Sequence, residues 1–190
     1  MGRSELSGHD VARELRRRVP SAGVLKIQKL LYYCDGWNIA FNGRPLFQER
    51  IEAWDQGPVV ADVWHDEHRG RELPPQRSLA GADLAIVEYV VKRYGHFTGE
   101  ELMEMTHRED PWRSLTNERG EVSTRNAEIT PDAMRGWFTH DDEYLAHAAE
   151  VARMRERRDV YAFEDPAITP SLKAACEHVL GQPVVDAHPA

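Results

Sequence analysis

The sequence of 190 residues lacks features that mark several common classes of protein. It has only 2 cysteines, which lie far apart and favour a reduced protein without a disulfide. No run approaches the roughly 18 apolar residues of a membrane span. The first ten residues, MGRSELSGHD, hold no apolar segment typical of a signal peptide. These absences predict a cytoplasmic protein that does not enter a membrane.

The chain also has fewer basic than acidic residues. The 32 acidic residues outweigh the 24 basic ones and give a net charge of −8. Nucleic acids and anionic membranes attract positive surfaces, so both are disfavoured as partners. Two arginine clusters, within 16–18 and 153–158, are interpreted as ion-pairing residues on helix surfaces.

The hydrophobic pattern predicts a mainly α protein. We expect a compact helical domain over residues 1–140, with one small β-hairpin between the second and third helices. A charged helix over 142–158 and a C-terminal extension follow, packed on the same domain within 141–190. A chain of this length most simply forms one such unit with an appended tail.

The second helix carries the most distinctive pattern. Its apolar residues recur at steps of three and four and therefore share one face, which we interpret mainly as core. Tyr32 and Tyr33 are adjacent and cannot both point inward, so one of them is expected at the surface. Gly36 suggests the close approach of another backbone, and Asn42-Gly43 ends the helix.

Other local signals place the remaining elements. Leu46-Phe47 and Ile51–Trp54 predict the two strands of the hairpin, and Gly57-Pro58 the start of the third helix. Asp83 is expected to cap the fourth helix. Thr98 and Glu101 form a capping box for the fifth. Further helix starts are predicted at Ser7 or Asp10 and at Thr130-Pro131, and a short turn is predicted at Asp110-Pro111-Trp112.

An ordered series of short motifs in this region resembles the Panacea domain, the SocA-like antitoxin family of bacteria and phages. The similarity covers about residues 11–138. The matching segments are KIQKLLYY at 26–33, GW at 36–37, GRPLF at 43–47, EAW at 52–54, GPVV at 57–60 and, less sharply, TH at 106–107 with DPW at 110–112. Asp55-Gln56 departs from the pattern, because many relatives carry a bulkier or basic pair there.

The resemblance implies a mostly helical domain that neutralises a protein toxin, typically one encoded by an adjacent gene. Some members are linked to delivery of the toxin to a Clp-type protease. We expect no cofactor. The segment after Asp142 lies outside the resemblance, so no role is implied for it.

Enzymatic alternatives rest on three groups of residues. His65 and His68 stand one helical turn apart and could serve a metal-dependent hydrolase, although zinc hydrolases use HExxH spacing instead. Cys34 could act as a thiol nucleophile, but it lies on the apolar face of its helix. Glu49, Glu52 and Asp55 could supply an acid–base pair, but on a short hairpin they more simply protect an exposed edge.

We therefore predict a non-enzymatic antitoxin that binds and occludes a protein toxin, with a proteolytic adaptor as the alternative. The acidic balance favours a basic toxin. The hairpin and exposed residues of the flanking helices form the predicted partner surface. Its members are Tyr33, Gly43, Arg44, Pro45, Glu49, Glu52, Asp55 and Trp64.

Overall fold

The fold was analysed in a computed structural model that describes residues 5–69, 77–117, 119–124 and 126–140. Within these ranges lie seven helices and three short strands. The helices are α1 (Gly8–Arg18), α2 (Val24–Asn42), α3 (Ala61–Arg69), α4 (Gly81–Tyr94), α5 (Gly99–His107), α6 (Asp110–Arg113) and α7 (Pro131–Phe138); the strands are β1 (Ile51–Trp54), β2 (Gly57–Val59) and β3 (Glu128–Ile129).

The prediction of a mainly α fold is confirmed, with a hairpin between α2 and α3. The predicted helix over 142–158 and the extension over 141–190 lie outside the described residues. None of the helices described here is long and apolar enough to cross a membrane.

Helix α2 is the centre of the fold. It packs against α1, α4, α5, α7 and β2, and every residue from Ile27 to Asn42 is buried. A helix covered on all sides must satisfy its polar side chains within the protein. Its aromatic residues join the core, where Trp37 packs against Phe41, Tyr89 and Phe138.

Gly36 lies where α7 presses an aromatic ring against α2. A Cβ atom at this position would lie 2.2 Å from Cε2 of Phe138. The expectation of a neighbouring backbone was therefore wrong, because the close neighbour is a side chain. The predicted end of α2 is confirmed: Gly43 has a φ of 70° and donates its N–H to the Ile39 carbonyl.

The hairpin differs in register from the one expected. Strand β1 pairs antiparallel with β2, and the turn falls at Asp55-Gln56 rather than at residues 48–50. Leu46-Phe47 is buried but forms no strand. Gly57-Pro58 lies in β2, so the prediction that it starts a helix was wrong. On its other side, β1 pairs with β3, a contact distant in sequence.

The helix starts were predicted with more success. The capping box of Thr98 and Glu101 begins α5 as expected, and Ser7 caps α1. Thr130 caps α7. Asp83 was expected to cap α4, but the helix begins earlier, at Gly81. Ala80 takes the cap position in an extended conformation, and Asp83 lies in the first turn. There its carboxylate pairs with Arg44, at 2.7 Å.

Candidate functional site

Polar side chains of α2 attach the following segment, residues 43–60, to the core. Oε1 of Gln28 accepts a hydrogen bond from the Val60 N–H at 2.8 Å. Nζ of Lys29 donates to the Pro58 carbonyl at 3.0 Å. Oδ1 of Asp35 accepts from the Leu46 N–H at 2.6 Å. These residues satisfy backbone groups that would otherwise be buried without partners.

Lys29 and Gly57 meet beneath the hairpin turn. Burial lowers the pKa of Lys29 to about 7, because a low dielectric disfavours the ammonium form. Gly57 has a φ of +93°, and a Cβ atom there would lie 2.9 Å from the Thr106 hydroxyl and 3.0 Å from Nζ of Lys29. Both the backbone conformation and the space available require glycine at this position.

Tyr32 and Tyr33 share a buried acceptor. Their hydroxyls donate to the two carboxylate oxygens of Glu109, at 2.7 and 2.8 Å. Tyr33 is 1% exposed and stacks on Tyr94 with ring centroids 4.0 Å apart. The prediction that one of these tyrosines is a surface aromatic was wrong. Both side chains reach the same buried carboxylate, because other elements cover α2 at both positions.

The glutamates of the predicted surface are engaged within the protein. Glu52 is 2% exposed, and its carboxylate accepts from Arg50 at 2.6 Å and from the Trp54 indole N–H at 2.9 Å. The expectation that Glu52 protects an exposed edge was wrong. Glu49 is partly buried and accepts from the Gly8 N–H at 2.7 Å, at the start of α1.

The segment Gly43-Arg44-Pro45 is partly buried and lies against α4 and α7. Arg44 pairs with Asp83, and the Arg135 guanidinium donates to the Gly43 carbonyl at 3.2 Å. These contacts give the segment a structural role. Its predicted contact with a partner stays a prediction.

An open groove lies between the hairpin turn, α3 and the start of α2, with a volume of about 750 Å³. We call it the aromatic groove. Its lining residues are Val24, Leu25, Gln28, Ala53, Trp54, Asp55, Gln56, Val59, Trp64, His68, Val122 and Asn126. Among the predicted partner contacts, the structure brings together Asp55 and Trp64 in this groove.

Two tryptophans form the aromatic part of the groove. The ring centroids of Trp54 and Trp64 lie 5.2 Å apart with the ring planes at 65°, an edge-to-face arrangement. Both rings are partly exposed. His68 stacks on Trp64 at 3.8 Å and its ring Nδ1 lies 2.8 Å from the Trp64 carbonyl oxygen. Trp64 and His68 of α3 are thus in direct contact.

Trp54 is held from two directions. Its indole N–H donates to Glu52, and its carbonyl accepts from the Trp112 indole N–H at 2.9 Å. Trp54 lies within the hairpin that was predicted as part of the partner surface, but it was not named among the contact residues, although its position beside Asp55 was a usable signal. Val122 and Asn126 carry no such signal, because only the tertiary fold brings their loop to the groove.

The features considered for an enzyme have other roles. In the run from His65 to His68, Asp66 lies 3.1 Å from His9, and Glu67 pairs with Arg16 at 2.7 Å. Across the described ranges, no group of three or more His, Cys, Asp or Glu side chains is placed to hold a metal ion.

Cys34 is fully buried. Burial raises the pKa of its thiol well above the usual value, and the neighbouring Asp35 adds to that effect. A nucleophilic cysteine requires the opposite shift. Cys34 is therefore placed as a small core residue.

Comparison with known proteins agrees with the sequence motifs. Residues 27–113 match the family described as "Antitoxin SocA-like, Panacea domain". No curated protein and no solved structure gives a significant match. The match contains most of α2, the hairpin, α3, α4, α5 and α6, and it includes most of the residues that line the groove. Residues 27–113 of this chain are therefore similar to the SocA-like Panacea family of antitoxins.

Proposed function

We propose that this chain is an antitoxin that neutralises a protein toxin by binding it directly and occluding its active surface. The observation that carries the proposal is the family match over residues 27–113. Members of an antitoxin family are expected to act on a toxin, and toxin and antitoxin genes are typically neighbours. The partner we expect is the product of an adjacent gene.

The aromatic groove is the part of the described surface best suited to contact a protein. Partly exposed tryptophans are enriched among residues that dominate binding energy at interfaces. Here two of them stand in contact, and Trp54 is fixed by hydrogen bonds at both its indole and its carbonyl. A preordered site loses less conformational entropy when a partner binds.

A binding role also agrees with the positions of the potentially reactive groups. The Cys34 thiol is buried with a raised pKa, and the carboxylates of Asp66 and Glu67 face basic partners in the protein. Glu109 is occupied by two tyrosines. The proposed activity therefore involves no catalytic step and no cofactor.

Co-expression tests the proposal. The neighbouring gene is expressed alone and together with the full chain, growth is measured, and the complex is purified through a tag on the toxin. We expect arrested growth with the neighbour alone, rescued growth with both, and a stable complex. A harmless neighbour, or rescue without a complex, contradicts direct neutralisation.

The same assay separates occlusion from delivery to a protease. Rescue is compared in host cells with and without their Clp-type protease. Occlusion predicts equal rescue and an unchanged level of toxin in both hosts. Rescue that requires the protease, with toxin accumulating when it is missing, would instead establish the adaptor role.

A further inference from the structure

The chemistry of the aromatic groove indicates what part of a partner it accepts. We propose that the groove receives an arginine side chain presented by a basic loop of the toxin, which packs against the paired indoles of Trp54 and Trp64 and beside the carboxylate of Asp55. This inference rests on the proposed antitoxin function, because it specifies the chemistry of the partner at the same groove.

The charge of the groove supports a cation. Asp55 is exposed at the tip of the β1–β2 turn and makes no ion pair with any residue that the structure describes. It stands directly after Trp54, so an anionic group borders an aromatic wall. The nearby Glu52 is already paired with Arg50. The whole chain carries −8, which favours approach by a basic protein.

The aromatic walls favour a guanidinium over other cations. Indole rings attract cations more strongly than other aromatic side chains do. A guanidinium is planar, can stack on a ring and can donate to a carboxylate at the same time. A lysine ammonium has a compact, strongly hydrated charge and cannot stack in this way. A purely apolar side chain would bury Asp55 without a compensating partner.

The floor of the groove has unused hydrogen-bonding capacity. Gln28 is 1% exposed and lines the groove, with its Oε1 bound to the Val60 N–H. Its Nε2 has no hydrogen-bond partner among the described residues. In a buried side-chain amide, both the oxygen and the nitrogen usually have hydrogen-bond partners. A carbonyl oxygen from the loop that carries the arginine would supply the missing acceptor after a small adjustment of the floor.

A peptide titration tests this chemistry without requiring the toxin. The probe is the peptide Gly-Gly-Arg-Gly-Gly, and the matched control has citrulline, the neutral isostere, in place of arginine. Indole N–H resonances of the full chain are followed by NMR. We expect saturable shifts at Trp54 and Trp64, with binding of the arginine peptide in the range of about 1 mM and at least about tenfold weaker binding of the citrulline peptide.

Substitutions sharpen the titration. Asp55→Asn should weaken the arginine peptide about tenfold and leave the citrulline peptide unchanged. Asp132→Asn, at an exposed residue of α7 outside the groove lining, should bind as the wild type does. Equal shifts with both peptides, absence of indole shifts, or an unaffected Asp55→Asn variant would each overturn the proposal.

The growth assay distinguishes this inference from the proposed function. If the wild-type chain rescues growth and Asp55→Asn rescues equally well at limiting expression, the arginine proposal fails and the antitoxin function stands. If the wild-type chain does not rescue, the antitoxin function fails whatever the peptides do. If the wild-type chain rescues growth, Asp55→Asn does not, and the arginine peptide binds as expected, the results support both the arginine proposal and the antitoxin function.

Discussion

Helix α2 and the region formed by the β1–β2 turn and α3 differ in the exposure of their side chains, although both carry motifs of the family. In α2, the side chains of Lys29, Tyr32 and Tyr33 are buried and bound to partners inside the protein. At the β1–β2 turn and in α3, Asp55 is exposed and Trp64 is partly exposed, and both line the aromatic groove. The first region therefore builds the fold, and the second region offers a surface. Substitutions should affect stability in the first and binding in the second.

The largest loss of stability is expected from Glu109→Ala. This change leaves the hydroxyls of Tyr32 and Tyr33 buried without an acceptor, so the free energy of unfolding should fall by about 3 kcal/mol. Chemical denaturation measures it. Glu104→Ala is the control, since this exposed side chain should contribute less than about 0.5 kcal/mol. Similar values for the two variants would contradict the structural role of the tyrosine pair.

A smaller loss is expected from Gly36→Ala. The added methyl group meets the Phe138 ring, and overpacking of a core typically costs about 2 kcal/mol. Gly136→Ala is the matched control within α7, because nothing lies within 4 Å of its Cβ position. Alanine should stabilise that helix by up to about 1 kcal/mol. Melting temperatures that move in the same direction for both variants would be inconsistent with the packing of α7 on α2.

The pH dependence of stability tests the burial of Lys29. The pKa of Lys29 is about 7 in the folded protein, against an ordinary value of 10.5, so between these limits unfolding takes up a proton. Stability should therefore rise with pH in this window, and the destabilising contribution of Lys29 should be full below pH 7. The slope of unfolding free energy against pH should be shallower for Lys29→Met than for the wild type. Equal slopes would show that Lys29 is solvated.

The smallest effect on stability is expected in the groove. Asp55→Asn changes an exposed side chain at a turn, so the free energy of unfolding should change by less than about 0.5 kcal/mol. Neutralisation of the toxin should nevertheless weaken. Thermal unfolding and growth rescue are measured on the same variant. A stability loss as large as that of Glu109→Ala would remove the contrast between the two regions.

Sequence reasoning succeeded where the signals are local. The capping box at Thr98, the end of α2 at Gly43 and the buried position of Cys34 all follow from residue type and spacing. It failed where a distant residue decides the outcome. Tyr33 is buried because Glu109 and Tyr94 lie over it, and the hairpin register depends on α2 side chains that bind the 43–60 segment.

The same limit applies to the candidate site. Asp55 and Trp64 were predicted as partner contacts on the basis of exposure, and both line the groove. Glu52 was predicted on the same basis, but it lies on the central strand β1 opposite Glu128 of the distant strand β3 and is buried there. No pattern in the sequence indicates that the loop containing Val122 closes one side of the groove.

The affinity of the full chain for the proposed toxin, which we expect to be the product of the adjacent gene, tests the central claim most directly. Calorimetry compares the wild type with Trp64→Ala and with Trp137→Ala, a partly exposed tryptophan of α7 outside the groove. If the toxin binds at the aromatic groove, Trp64→Ala should bind at least about tenfold more weakly, whereas Trp137→Ala should bind like the wild type. Unchanged affinity of a folded Trp64→Ala variant would contradict binding at this groove.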